Sequence, residues 1–168
     1  MILKDNACSS AWDLIREGNQ LTKENDMGLD QHAHIRGTKI DWEKYFNDDT
    51  YSDEAGVFVW RKHARLQEFM AKKWADQNPS VKVEGHLAHL GFNGDQDSPC
   101  YITKEVADEL GEQIKKGFSD YHAEDGFFWG QQFQEESVKE YKEQDIKFLK
   151  FCEQAISEGK VVEYWCSW

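Results

Sequence analysis

Apolar residues recur at helical spacing in three stretches of the chain. The first stripe has intervals of seven, four and four residues and consists of Val59, Leu66, Met70 and Trp74. It predicts a helix between Gly56 and Asn78, entered from a short extended segment at 57–59. The helix should end at Asn78, because Pro79 forces the residue before it out of the helical region.

The second stripe is the most regular, with apolar side chains four residues apart: Val106, Leu110, Ile114 and Phe118. Thr103 lies where it can cap the start of this helix. An extended segment is expected to lead into the helix from Tyr101.

The third stripe predicts a long helix that begins near Glu135 and carries Val138, Tyr141, Phe148, Leu149, Cys152 and Ile156. Gly159 follows its last turn, where a left-handed glycine commonly ends a helix. Alternation then places four side chains on one face of a final strand, namely Val162, Tyr164, Cys166 and Trp168. Because this strand is apolar on both faces, deletion of residues 165–168 should destabilise the fold.

Together these elements predict an α+β fold, with about three helices packed on a small, mostly antiparallel sheet that includes the C-terminal strand. The alternative is an all-α fold in which the tail is an apolar arm. Alternation at 80–84 indicates a further strand. Residues 56–168 are predicted to form the domain, and residues 1–55 an N-terminal extension packed on it.

The charge of the chain narrows the classes of partner. Its 168 residues carry a net charge of −12, and the sequence pI is about 4.9. Nucleic acids and anionic membranes require clustered Lys and Arg, so neither is an expected partner. The four cysteines form no CxxC pair, which favours reduced thiols in a cytosol. No apolar stretch approaches the length of a membrane span.

Three motifs in order resemble a family of small uncharacterised bacteriophage proteins. They are Trp60-Arg61-Lys62 at a helix entry, Gly126-Phe127-Phe128-Trp129-Gly130 before an acidic helix, and the terminal Ser167-Trp168. The resemblance covers residues 56–168 and implies a phage origin, hence the host bacterial cytoplasm, without implying a reaction. The family usually continues with Ala-Asn and then a His and a Trp, where this chain has His63-Ala64 and then Gln67 and Phe69.

The residues Trp60, Arg61, Lys62 and His63 form the densest cationic segment of this acidic chain. Arg and Lys beside a Trp could bind a phosphate or carboxylate, or a partner carrying one. Alternatively, Trp60 belongs to the core and the cations pair with the acidic segment 48–54. A third reading pairs Arg61 with the terminal carboxylate of Trp168.

Two glycines flanking three aromatic residues are typical of a tight, buried turn. We therefore interpret Gly126, Phe127, Phe128 and Gly130 as structural, together with Gly159 and Trp168. Anion binding at the start of the following helix is disfavoured, because Glu135 and Glu136 would repel an anion there.

Four histidines form two close pairs, His32 with His34 and His86 with His89. With nearby carboxylates they could hold zinc or another divalent ion if the pairs met in the fold. A long intervening chain separates the pairs, and histidine is also common on an ordinary protein surface. No cofactor is expected.

These features favour a non-enzymatic bacteriophage accessory protein that binds a host or phage protein. One alternative is a metal-dependent enzyme that uses the histidine pairs and carboxylates. Another is an acidic DNA mimic that inhibits a host nuclease, although its acids would be interspersed with 20 Lys and Arg residues. Whether the chain is an enzyme stays open at this stage.

Overall fold

The computed structural model describes residues 28–48, 51–80, 99–124 and 130–167. Its strands are β1 (Asp30–Ile35), β2 (Phe58–Arg61), β3 (Cys100–Ile102) and β4 (Val162–Ser167). Its helices are α1 (Trp42–Asn47), α2 (Tyr51–Ala55), α3 (Ala64–Gln77), α4 (Lys104–Lys115) and α5 (Gln134–Ser157), and a 3₁₀ turn at Gln131–Phe133 precedes α5.

The four strands form one sheet in the order β2-β1-β4-β3, and every neighbouring pair is antiparallel. Three long helices accompany the sheet, and the C-terminal strand occupies a central position in it. The predicted α+β class is therefore confirmed, and the all-α alternative is wrong.

The first strand of the sheet comes from the part of the chain that was expected to form an extension. β1 lies between β2 and β4, so it is hydrogen-bonded on both sides to strands from beyond residue 55. Residues on both sides of the boundary predicted at residue 55 thus share one sheet, and the division into an extension and a domain stays a prediction. Of the strand predicted at 80–84, residues 81–84 lie outside the described ranges.

The start of α3 differs from the sequence prediction. Val59 belongs to β2, and the helix begins only at Ala64. Between them, Lys62 adopts a left-handed φ of 56° and His63 caps the helix. The backbone thus turns sharply after the strand, and the predicted helical stripe is wrong at its first residue.

The ends of the other two long helices agree with their sequence signals. The Thr103 hydroxyl accepts from the Val106 N–H at 3.3 Å and caps α4. At the end of α5, Gly159 has φ 70°, and the N–H of Lys160 donates to the Ala155 carbonyl at 2.8 Å. This pattern is a Schellman motif, which satisfies carbonyls that the helix end would otherwise leave without partners.

The inner face of the sheet packs on the long helices and forms the core. The inward side chains of the two central strands include Gln31, Ala33, Tyr164 and Cys166, all buried. Trp60 of β2 is fully buried and meets Phe148 of α5 edge-on, with ring centroids 5.0 Å apart. Burial of such rings is the main stabilising term for a core rich in aromatics.

Both edges of the sheet are closed by helix side chains. On β3, the Gln77 amide donates to the Tyr101 carbonyl at 2.8 Å and accepts from its N–H at 2.9 Å. On β2, the Tyr141 phenol accepts from the Arg61 N–H at 3.1 Å and donates to its carbonyl at 3.2 Å, while Gln144 donates to the Val59 carbonyl. These backbone groups are therefore not available to pair with a further strand.

Candidate functional site

The cationic segment at 60–63 is divided between the core and the surface. Strand alternation directs Trp60 inward and Arg61 outward, and the turn at Lys62 returns His63 to the interior. Trp60 and His63 are fully buried. The four residues therefore do not share one exposed face, and anion or partner binding stays a prediction for Arg61 and Lys62.

A buried carboxylate joins the two inward residues of this segment. Asp145, in the middle of α5, accepts from the Trp60 indole N–H at 2.9 Å and lies 3.0 Å from His63 Nε2. The other ring nitrogen of His63, Nδ1, accepts from the Leu66 N–H at 3.4 Å. This cap places the imidazole proton on Nε2, so His63 donates to Asp145. Both ring nitrogens are engaged, and neither is free to act as a general base.

A second buried chain of hydrogen bonds continues from this group. Gln31 accepts from the His63 N–H at 2.9 Å and donates to the Tyr164 hydroxyl at 2.8 Å. Tyr164 donates to Gln67 at 2.7 Å, and Gln67 donates to Cys166 Sγ at 3.2 Å. Burial raises the pKa of Tyr164 well above its ordinary value, so its hydroxyl remains a donor.

The outward cations make local contacts. Arg61 forms an ion pair with Asp30 at 3.3 Å, and both side chains are more than one-third exposed. The expected partners were the segment 48–54 or the carboxylate of Trp168, which lies outside the described residues. The Lys62 carbonyl accepts from Ser137 at 3.3 Å, and the side chain of Lys62 lies against Gly130.

The two glycines of the described ranges that were interpreted as structural both have left-handed conformations, with φ 76° at Gly130 and 70° at Gly159. A Cβ added to Gly130 would lie 2.9 Å from Lys62 Cβ, whereas one added to Gly159 would meet nothing within 4 Å. Gly130 thus permits a close approach of two segments. Gly126, Phe127 and Phe128 lie outside the described residues.

The outer face of the sheet carries the first histidine pair. His32 and His34 are stacked, with ring centroids 5.7 Å apart and 5° between their planes. The ring of Trp42 from α1 meets His32 at 5.8 Å, and Trp165 is the cross-strand neighbour of His32. Burial, followed by the neighbouring His34, lowers the pKa of His32 to about 3, and burial also lowers that of His34.

Polar groups on the same outer face are only partly satisfied. Glu163, opposite His34, pairs with Arg36 at 3.2 Å, and the Arg36 guanidinium lies over the Tyr101 ring at 5.6 Å. By contrast, His34 Nδ1 and the indole nitrogen of Trp165 are buried and have no hydrogen-bond partner among the described residues. Buried polar atoms of this kind are uncommon in native structures.

The predicted metal site has no assembled ligand set in the part of the chain that the structure describes. There, no group of three His, Cys, Asp or Glu side chains is arranged to hold a metal ion. His86 and His89 lie outside the described ranges, so a meeting of the two pairs stays a prediction. Within those ranges no helix is long and apolar enough to cross a membrane.

Sequence reasoning missed the polar interior. The buried polar side chains that it did not single out include Gln31, Arg65, Gln134 and Asp145. Arg65 donates to the Gly117 carbonyl at 3.1 Å and to Gln134 at 3.3 Å, and it pairs with Glu135. The available signal was weak. Asp145 lies on the apolar stripe of α5, seven residues after Val138 and three before Phe148.

Comparison of the chain with protein-family models, with curated proteins and with solved structures found no match.

Proposed function

We propose that this chain is a non-enzymatic bacteriophage accessory protein that binds a host or phage protein in the host cytoplasm. The outer face of its sheet is the proposed binding surface. The observation that carries the proposal is the composition of this face, which presents aromatic and imidazole rings where a solvated sheet would present small polar side chains. The partly exposed rings on it are His32, Trp42, Tyr45, Tyr101 and Trp165.

The other surfaces of the sheet are already in use, which supports this choice. The inner face is filled by the core, and both edges are closed by Gln77, Tyr141 and Gln144. Trp, Tyr and Arg are enriched at protein interfaces, where large rings bury much area at low entropic cost. The ion pairs of Arg36 and Arg61 lie at the border of the rings, as polar groups do around an interface core.

The chemistry of the buried cluster also supports a binding role. His63 and Asp145 resemble a catalytic pair in type, yet each polar atom of the imidazole is used inside the fold. Burial also raises the pKa of the Cys100 thiol to about 12, which keeps it in the unreactive protonated form. The net charge of −12 favours a partner with a basic surface, because opposite charges accelerate encounter.

Site-specific photo-crosslinking tests the proposal. Benzoylphenylalanine is placed at Tyr45 or Tyr101 on the outer face, and at Phe133 or Ile146 as controls. The controls are exposed apolar residues, Phe133 in the 3₁₀ turn before α5 and Ile146 in the middle of α5. In lysate of infected host cells, the outer-face positions should each yield an adduct with the same polypeptide, identified by mass spectrometry, and the controls should not.

The purified pair should then bind more weakly as ionic strength rises, because salt screens the proposed charge attraction. The proposal fails if no adduct forms at either outer-face position. It also fails if the adduct forms equally well from Phe133 and Ile146.

A further inference from the structure

A carboxylate with little exposure lies in the middle of the outer face of the sheet. Glu163 on β4 is only 7% exposed, and the strand register places His34 of β1 and Tyr101 of β3 on either side of it. Trp165, two residues further along β4, belongs to the same face. An unpaired charge at a buried position is costly, so the fold requires a cation beside Glu163.

The chain supplies this cation from the turn after β1. Arg36 forms an ion pair with Glu163 through its Nε at 3.2 Å, and its guanidinium carbon lies 5.6 Å from the centroid of the Tyr101 ring. One guanidinium thus contacts both a carboxylate and an aromatic face. Proteins use this combination to bind arginine side chains, because the planar guanidinium can pair with an acid and stack on a ring.

Arg36 is held at this site only weakly. Its side chain is 63% exposed, whereas that of Glu163 is 10% exposed. Ion pairs with a solvated member contribute little to stability, because water competes for the charge. The backbone of Arg36 is fixed independently of its side chain, since its N–H donates to the Val161 carbonyl at 2.8 Å. The side chain can therefore leave Glu163 without opening the sheet.

We propose that Glu163 and Tyr101 form a binding site for an arginine side chain of the partner, and that Arg36 occupies this site until the partner's arginine displaces it. The net charge of −12 favours a partner that presents such cations. The assignment of the incoming arginine to a partner rests on the proposed function, whereas the cation site itself does not.

Chemical rescue tests the cation site. Arg36→Ala empties it, and ethylguanidinium, which carries the head group of arginine, should fill it again. At constant ionic strength the thermal midpoint of this variant should rise saturably, with half the effect on the order of 10 mM, the affinity of one ion pair with one ring contact. Adding Tyr101→Leu should raise this concentration about two- to fivefold.

Two controls isolate the charge interaction. Ethylurea, a neutral molecule of the same shape, should not raise the midpoint of Arg36→Ala. Ethylguanidinium should not raise that of the double variant Arg36→Ala, Glu163→Gln. The site is overturned if ethylguanidinium has no effect on Arg36→Ala or if either control responds equally. If Arg36→Ala does not fold in buffer, recovery of its circular dichroism in ethylguanidinium supports the site, and failure to recover overturns it.

Binding to the polypeptide captured by photo-crosslinking tests the exchange of arginines. Arg36→Ala should bind this polypeptide at least about threefold more tightly than the natural chain, because no side chain of the protein competes for the site. Lys39→Ala, which removes the same charge from an exposed position nearby, is the matched control and should have a smaller effect.

Unchanged or weaker binding of Arg36→Ala overturns the exchange, as does an equal gain in Lys39→Ala. If no polypeptide is captured, the proposed function fails and the partner's arginine with it. The response of Arg36→Ala to ethylguanidinium decides the cation site independently of that result.

Discussion

At the scale of single residues, Asp145 organises the interior of this protein. It brings a carboxylate to the core, where it accepts from the Trp60 indole and from His63. Both donors come from the segment at 60–63, and they precede Asp145 by 85 and 82 residues in the sequence. A buried carboxylate is tolerated because its hydrogen bonds replace those that water would make.

Asp145→Ala should therefore lower the free energy of unfolding by about 3 kcal/mol or more, since it leaves two buried donors without an acceptor. Asp145→Asn, which keeps one acceptor for Trp60, should cost less. Urea denaturation measures both changes. Asp108→Ala, which removes an exposed acid paired with Lys104, is the control and should change stability by less than about 0.5 kcal/mol. Equal losses for Asp145→Ala and Asp108→Ala would contradict the assigned role.

Gly130 offers a second test at this scale. Gly130→Ala combines a left-handed φ with a Cβ contact of 2.9 Å to Lys62, whereas Gly159→Ala has the same kind of φ and open space. We expect a loss of about 1 kcal/mol for Gly159→Ala from backbone strain alone, and a larger loss for Gly130→Ala. Thermal unfolding of the two variants measures the difference. Equal losses of stability in the two variants would mean that a Cβ at position 130 does not clash with Lys62.

At the scale of elements, the predictable parts were those with strong local signals. These signals are the cap at Thr103, the four-residue spacing of apolar side chains in α4 and the glycine after α5. Each involves only one helix and its flanking residues, so the sequence alone could place them. β1 was missed because its apolar alternation is weak. Its inward face carries Gln31, and its outward face carries His32 and His34, so no apolar alternation marks it as a strand.

The candidate site was predictable only in part for a related reason. The sequence singled out Trp60 and His63, yet their partner Asp145 reads as one more acid on a charged helix. A hydrogen bond across more than 80 residues leaves no spacing for a local pattern to detect. The rings on the outer face of the sheet likewise come together only through the strand register, which pairs His32 with Trp165.

The sheet edges provide the prediction at this scale. Gln77→Ala should expose the N–H and carbonyl of Tyr101 on β3, costing about 1 kcal/mol because water replaces part of the lost bonding. The freed edge should also favour association between copies of the chain, which sedimentation velocity can measure. Gln154→Ala, which removes an exposed amide on α5, is the matched control. A variant as monodisperse and as stable as this control would contradict the edge-closing role.

At the scale of the whole molecule, the two central strands come from opposite ends of the described chain. β1 and β4 pair along six residues each, and Gln31 bonds Tyr164 across 133 positions. The core, the buried polar network and the rings on the outer face of the sheet all depend on the pairing of β1 with β4. The domain therefore has few parts that could remain folded without it.

Deletion of residues 165–168 should consequently abolish cooperative unfolding, since it removes half of a central strand and the buried Cys166. The observable is the near-ultraviolet circular dichroism of the aromatic core, followed with temperature and compared with the full chain. A truncated chain that keeps the full-length thermal midpoint would refute the prediction.

The position of β4 also governs when the protein can fold during its synthesis. A ribosome that has released residues up to 157 has already produced all the described helices, but β1 still lacks one of its two neighbours. The sheet can close only after residue 167 has left the exit tunnel, and the nascent chain must keep its aromatic side chains soluble until then. A premature stop codon shortly before β4 would thus yield an unfolded chain that is open to proteolysis rather than a smaller folded domain.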